Sequence, residues 1–359
     1  MKNIKTCNSI KQYFQECGFE IKNETSNGDV YGIESEMKAD KIDFKVKIIH
    51  HQKPMTITFQ VMAYYKFNKG KSNTLLLIDL INMVFMNIGG IVINPETNQI
   101  TITSNQFLSN QGIDEYQFKT TLERCFFQLF SIYDLFESVD LYDKDPMKLI
   151  ADFGCKVQEA MKPETENQLD SLSKYFVDIP RCGPLKDNSE VVIMDMQLCL
   201  QNEGLPITNE TERQSDTEHR HTKIVESWCE IESKPLRVKA LYTPQSDIVG
   251  FELSGFPPVK NDYALNYIYL FNWINQMQMR NWWVLCPEIN QVLFRSGFII
   301  SNGKLNKYQF RKLIKSSIEN LKLFYPLMID QERIGKDVVK AILRFSEDNI
   351  INIGRFHNK

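Results

Sequence analysis

The sequence predicts an α+β fold built twice: two homologous domains, each an antiparallel sheet packed with helices, arranged as an intramolecular pseudo-dimer. Three observations predict it. Residues 95–135 recur without a gap 192 residues later, with thirteen identities in 41 positions. Alternating strand patterns precede this stretch in both copies, and three- and four-residue helical spacing flanks it. A chain of 359 residues has room for two such domains.

The repeat runs in one register. Pro95–Ile100 reappears as Pro287–Val292, Ser104 as Ser296, and Ser109-Asn110 as Ser301-Asn302. Tyr116-Gln117-Phe118 meets Tyr308-Gln309-Phe310, and Leu129, Tyr133 and Leu135 meet Leu321, Tyr325 and Leu327. Upstream the offset becomes 193, which puts Leu77, Ile81, Asn82 and Met86 on Leu270, Ile274, Asn275 and Met279.

Each element follows from its pattern. Phe44, Val46 and Ile48 alternate with lysines, and Ile57, Phe59 and Val61 follow beyond Pro54. In the second copy Leu236, Val238 and Ala240 alternate with Arg237 and Lys239, and Val249, Phe251 and Leu253 follow the turn at 244–247. Period-two runs separated by turn residues describe an antiparallel meander. Helices are expected over 74–87 and 263–279, each followed by a hairpin turning at Pro95–Asn98 or Pro287–Asn290. A last helix opens in each copy at the N-caps Asp114 and Asn306. The apolar run 75–93 carries Asp79, Asn82 and Asn87 and reads as a core helix and strand, not a membrane span. Met147–Lys162 is expected as an extra helix over the aromatic run Phe126–Phe136, Pro163–Glu190 as a linker, Val191–Leu200 as a strand, and Gln201–Thr222 as a polar loop. The expected organisation is 1–140 for the first domain, 141–190 for the extra helix and linker, 191–346 for the second domain and 347–359 for a tail.

The helix with Leu77 and Ile81-Asn82, the Pro95-Glu96 hairpin, Ser109-Asn110 and the closing Tyr133-x-Leu135 together resemble the YbjN-like family. That family shares its fold with the class I chaperones of type III secretion. The second copy shows the same features at Ile274-Asn275, Pro287-Glu288 and Tyr325-x-Leu327. The resemblance covers about 65 residues of each copy and rests on structural motifs. It implies a non-enzymatic protein binder, a chaperone-like or regulatory adaptor that holds a partner protein or an extended segment of one. Such domains usually occur singly and pair as homodimers. Two copies in one chain therefore imply an internal pair in a monomeric chain. Leu77, Ile81, Leu270 and Ile274 on the helices 74–87 and 263–279 are the candidate domain seam.

Little else in the chain points to chemistry. Lys69-Gly70-Lys71-Ser72 lacks the earlier glycine of a phosphate loop, since position 65 is Tyr65. His50 and His51 are adjacent on a strand and point to opposite faces. His219 and His221 sit in polar sequence, where a solvated pair is the plain reading. The eight cysteines show no zinc spacing. No metal, cofactor or catalytic residue is expected. The net charge of −3 gives no global attraction to nucleic acid or membrane. The start of the chain has no apolar signal segment, so the cytoplasm is the expected compartment.

Charge is uneven along the chain. Residues 151–260 carry a net −7 and residues 261–359 a net +6. Lys304, Lys307, Arg311, Lys315 and Lys322 share one helix face. That face suits solvent, an acidic surface of this chain or a partner, or nucleic acid through the helix 304–322. Candidate partner-binding residues are Trp273, Trp282, Trp283, Lys307, Arg311 and Lys315. An enzyme or metal site assembled from residues distant in sequence is the other alternative.

Overall fold

The computed structural model of the chain describes residues 2–39, 42–63, 71–84, 89–93, 99–108, 112–142, 144–152, 188–214, 221–278, 281–286, 290–301 and 303–349. The first unit runs α1 (Lys2–Glu16), β1 (Asn23–Asn27), β2 (Val30–Ala39), β3 (Ile42–His51), β4 (Thr56–Ala63), α2 (Lys71–Val84), β5 (Gly90–Ile93), β6 (Ile100–Phe107) and α3 (Glu115–Tyr142). The second repeats that order as α4 (Ser189–Asn202), β7 (Ile207–Gln214), β8 (His221–Ile231), β9 (Lys234–Thr243), β10 (Ile248–Ser254), α5 (Ala264–Gln278), β11 (Trp282–Cys286), β12 (Gln291–Ile299) and α6 (Lys307–Ile329). It then adds α7 (Gln331–Lys336) and α8 (Val338–Asp348).

Each unit holds one six-stranded antiparallel sheet, ordered β1-β2-β3-β4-β6-β5 and β7-β8-β9-β10-β12-β11. The fold is α+β with two sheet-containing domains. Alternation sets the buried face: Phe44, Val46, Ile48, Ile57, Phe59 and Val61 are at most 1% exposed, as are Leu236, Val238, Ala240, Val249, Phe251 and Leu253. The opposite face of the first sheet carries ion pairs, with Glu34 between Lys45 (2.9 Å) and Lys47 (2.8 Å). Each unit has one large apolar core, and Leu75 and Leu76 of α2 touch both; Ile248 and Ile299 form a small third cluster with Tyr116.

The long helices begin where short polar side chains cap their exposed N–H groups. Asp114 Oδ1 accepts from Gln117 N at 2.8 Å, and Asn306 Oδ1 from Gln309 N at 3.2 Å. Asn290 closes the second hairpin in the left-handed region, φ +49°. The remainder of both hairpin turns, the linker stretch 163–187 and the tail from 350 lie outside the described residues. The extra helix is described over 146–152, where Ile150 is buried in the first core.

Two expectations are corrected. Val191–Leu200 is not a strand but lies within helix α4. Its buried residues Val192, Ile193, Met196, Cys199 and Leu200 follow helical spacing onto the second core. Gln201–Thr222 is not a loop throughout, because β7 occupies 207–214 and pairs with β8. The equivalent edge strand of the first unit is β1. Asn23-Glu24-Thr25 there matches Asn209-Glu210-Thr211 on β7. Lys11 of α1 reaches Glu24 at 2.7 Å, and Gln197 of α4 reaches Glu210 at 2.8 Å. These matches place α1 and α4 in equivalent positions, 186 residues apart.

Candidate partner-binding surfaces

The two units meet through α2, α5 and the edge strands β5 and β11. Of the candidate seam residues, Leu77 and Ile81 are fully buried in the first core and Leu270 and Ile274 in the second. Edge strands leave backbone groups unpaired on their outer side. Here asparagines take up those groups. Asn82 Oδ1 accepts from Ile91 N at 2.7 Å and Asn82 Nδ2 donates to Ile91 O at 2.9 Å. Asn275 makes the same clasp on Trp283, at 2.8 and 2.9 Å.

Other contacts cross between the units, and some of them come in matched pairs. Asn272 clasps Ile93 through N and O, both at 3.3 Å, and Asp79, its counterpart at the 193 offset, accepts from Leu285 N at 3.2 Å. Gln117 Nε2 donates to Ile299 O at 2.8 Å, and Gln309 Nε2 donates to Phe107 O at 2.6 Å. Gln117 and Gln309 are separated by 192 residues, and so are Phe107 and Ile299. One pair of counterparts touches directly: a side-chain carbon on Gly90 would overlap the ring of Trp282. These contacts cover the edges at β5 and β11. The outer edges differ, since every residue of β1 is exposed and Asn209–Glu212 of β7 are exposed as well.

Two of the candidate partner residues, Trp282 and Trp283, turn inward. Trp282 is 4% exposed at the seam and Trp283 is fully buried. The Trp283 ring packs on Phe294 at 4.7 Å and on Phe256 at 5.5 Å. Trp273 is partly buried against the second core. The basic face of α6 is met by acids of α4 and the residue after it. Lys307 pairs with Asp195 at 2.7 Å, while Arg311 (2.6 Å) and Lys315 (3.3 Å) share Glu203. Exposed apolar residues occur on several elements, and on α4 they fall on one face. Val191, Met194 and Leu198 form a stripe on α4, exposed by 57%, 66% and 46%. The equivalent exposed positions on α1 are Lys5, Asn8 and Gln12. A segment read as a strand hid this stripe, and helical spacing of the apolar residues was the signal that would have found it.

Burial pushes the thiols of Cys17 and Cys125 up to about 12 and those of Cys199 and Cys229 up to about 11, so they stay protonated. His50 is buried, with Nδ1 at 3.0 Å from the Thr56 carbonyl, and burial lowers its pKa. His219 lies outside the described residues, and His221 opens β8. Of the Lys69–Ser72 run, Lys71 and Ser72 open α2. Among the described residues no group of three or more His, Cys, Asp or Glu is placed to hold a metal. An open groove of about 710 Å³ between α1, α3 and α6 is walled by Lys5, Ser9, Tyr13 and the caps Asp114 and Asn306. Among the described residues no helix is long and apolar enough to cross a membrane. No protein-family model, curated protein or solved structure matches this chain.

Proposed function

We propose that the chain is a non-enzymatic protein-binding module, chaperone-like or adaptor-like, whose two YbjN-like units form an internal pseudo-dimer. In this reading the second unit holds an extended or amphipathic segment of a partner protein on α4 and beside it along β7. The carrying observation is the stripe Val191, Met194 and Leu198. Exposed apolar side chains at i, i+3 and i+7 cost solubility, and their counterparts on α1 are polar, so the fold itself does not require them. The exposed strand β7 next to α4 adds a backbone edge suited to strand addition. The matched seam contacts support the pseudo-dimer, because homologous units that pair do so through equivalent residues. Nucleic acid is the weaker reading, since Asp195 and Glu203 of this chain already pair with Lys307, Arg311 and Lys315 and offset part of their charge.

The test exchanges the stripe for its polar counterpart, Val191→Lys, Met194→Asn and Leu198→Gln. Binding is read on an array of peptides bearing apolar residues at helical or alternating spacing, with the wild type and the variant side by side. The expected result is that peptides retained by the wild type are lost by the variant, with the thermal transition unchanged. Equal retention by the two proteins would overturn the assignment of the site.

A further inference from the structure

Four side chains accept from outward N–H groups of the edge strands β5 and β11, and three of them are asparagines; Gln276 adds a bond from its Nε2 to the Ile93 carbonyl at 2.6 Å. Asn82, Asn275 and Asn272 each accept from a strand N–H and donate to the same residue's C=O. Asp79 is the fourth and faces Leu285, with both carboxylate oxygens at 3.2 Å from the Leu285 N–H. An ionised carboxylate only accepts; a protonated one has a donor as well. In an antiparallel strand a residue's N–H and C=O point to the same side. The Leu285 carbonyl therefore lies on the side that Asp79 occupies.

Asp79 is 4% exposed. Burial holds its carboxyl well above the usual carboxylate range, opposed only by the Leu285 N–H. The elements around α2 add no compensating charge. β5 has no titratable residue, α5 has Tyr267 and Tyr269, and β11 has Cys286. On α3, Arg124 donates to the Ser246 carbonyl, Cys125 stays protonated, and Asp140 is buried. Arg295 of β12 is held by Glu252 at 2.9 Å and by the Met83 carbonyl. None of these charges contributes to the shift at Asp79.

We propose that Asp79 is a proton-dependent latch between the two units. Protonated, it donates to the Leu285 carbonyl and closes the two-point clasp that Asn272 makes on Ile93. Ionised, it loses that bond, and the seam loosens at β11. An unfolded aspartate titrates at about 3.9. The native value is higher, so the latch's contribution is fully present below the unfolded value and is lost as pH rises through the native one.

The test is amide exchange at single residues in the full chain, read by NMR and corrected for the intrinsic chemical rate. Ile93 serves as the internal control. In the wild type, protection of Leu285 relative to Ile93 falls by up to tenfold per pH unit between the unfolded value of about 3.9 and the higher native pKa, and levels off beyond it. In Asp79→Asn the ratio stays level with pH. In Asn272→Asp the pH dependence appears at Ile93 as well. A wild-type ratio as level as that of Asp79→Asn overturns the proposal, and this comparison decides the matter even if Asn272→Asp fails to fold. The contact between the units is independent of the partner site, so a failure here leaves the α4 assignment standing.

Discussion

Adding one methyl group at the seam offers a direct measure of how tightly the units fit. Gly90→Ala places a carbon against Cε3 and Cδ2 of the Trp282 ring, which is 4% exposed and has little room to move. Overpacking of this kind costs about 1–3 kcal/mol. At about 2–4 °C per kcal/mol for domains of this size, the midpoint falls by roughly 2–12 °C. Trp282→Ala alone opens a cavity and costs about 3–5 kcal/mol. The double variant places the new methyl beside that cavity, so the two losses do not sum. The expected coupling is about 1–3 kcal/mol in favour of the double variant. Urea denaturation of the four proteins, followed by far-ultraviolet circular dichroism, measures it. Losses that add within about 0.5 kcal/mol would refute a direct contact between these two positions.

Asn275→Ala strands the Trp283 N–H and C=O in a buried setting. It should lower stability by about 2–4 kcal/mol by denaturant titration and speed exchange of the Trp283 amide before that of Ile91. Glu203→Gln removes the carboxylate shared by Arg311 and Lys315, whose side chains are half exposed. The loss should be about 1 kcal/mol or less and should shrink in high salt. Burial holds the His50 pKa below its unfolded value of about 6.5. Its contribution is therefore present above that value and is lost as pH falls through the native one. The chain should weaken on mild acidification, and His50→Gln should weaken less over the same interval in pH-dependent melts. Cys17 and Cys125 should resist alkylation in the native chain and react after unfolding, as mapped by peptide mass spectrometry.

Most of the architecture was legible because it rests on strong periodicity. The strands around Val46 and Phe59, and around Val238 and Phe251, alternate cleanly since one face of each sheet is buried and the other is wet. The helices α2 and α5 were legible for the same kind of reason. The segments misread are those in which burial does not dictate the pattern. In α4, apolar residues on the exposed face fill the gaps between the buried ones, so Val192, Met194, Met196, Leu198 and Leu200 mimic a strand's alternation. Much of β7 is exposed, so it lacks the apolar beat that marks a half-buried strand. Its match to β1 through Asn-Glu-Thr was the remaining signal. Trp282 and Trp283 were ambiguous for a simpler reason: a large aromatic residue suits a core and a binding surface equally well, and only three-dimensional placement separates the two. The basic face of α6 was legible, but its acidic neighbours Asp195 and Glu203 came from a segment assigned another shape.

The glycine-to-indole contact also governs which halves are allowed to associate. A first unit set against another first unit would bring glycine to glycine and leave a hole at the axis. Two second units would force one indole into another. Only unlike halves fit, and the intervening chain keeps the correct mate at high local concentration. Two molecules trading halves would satisfy the same rule, so reciprocal exchange is the one route to a larger assembly that this seam leaves open.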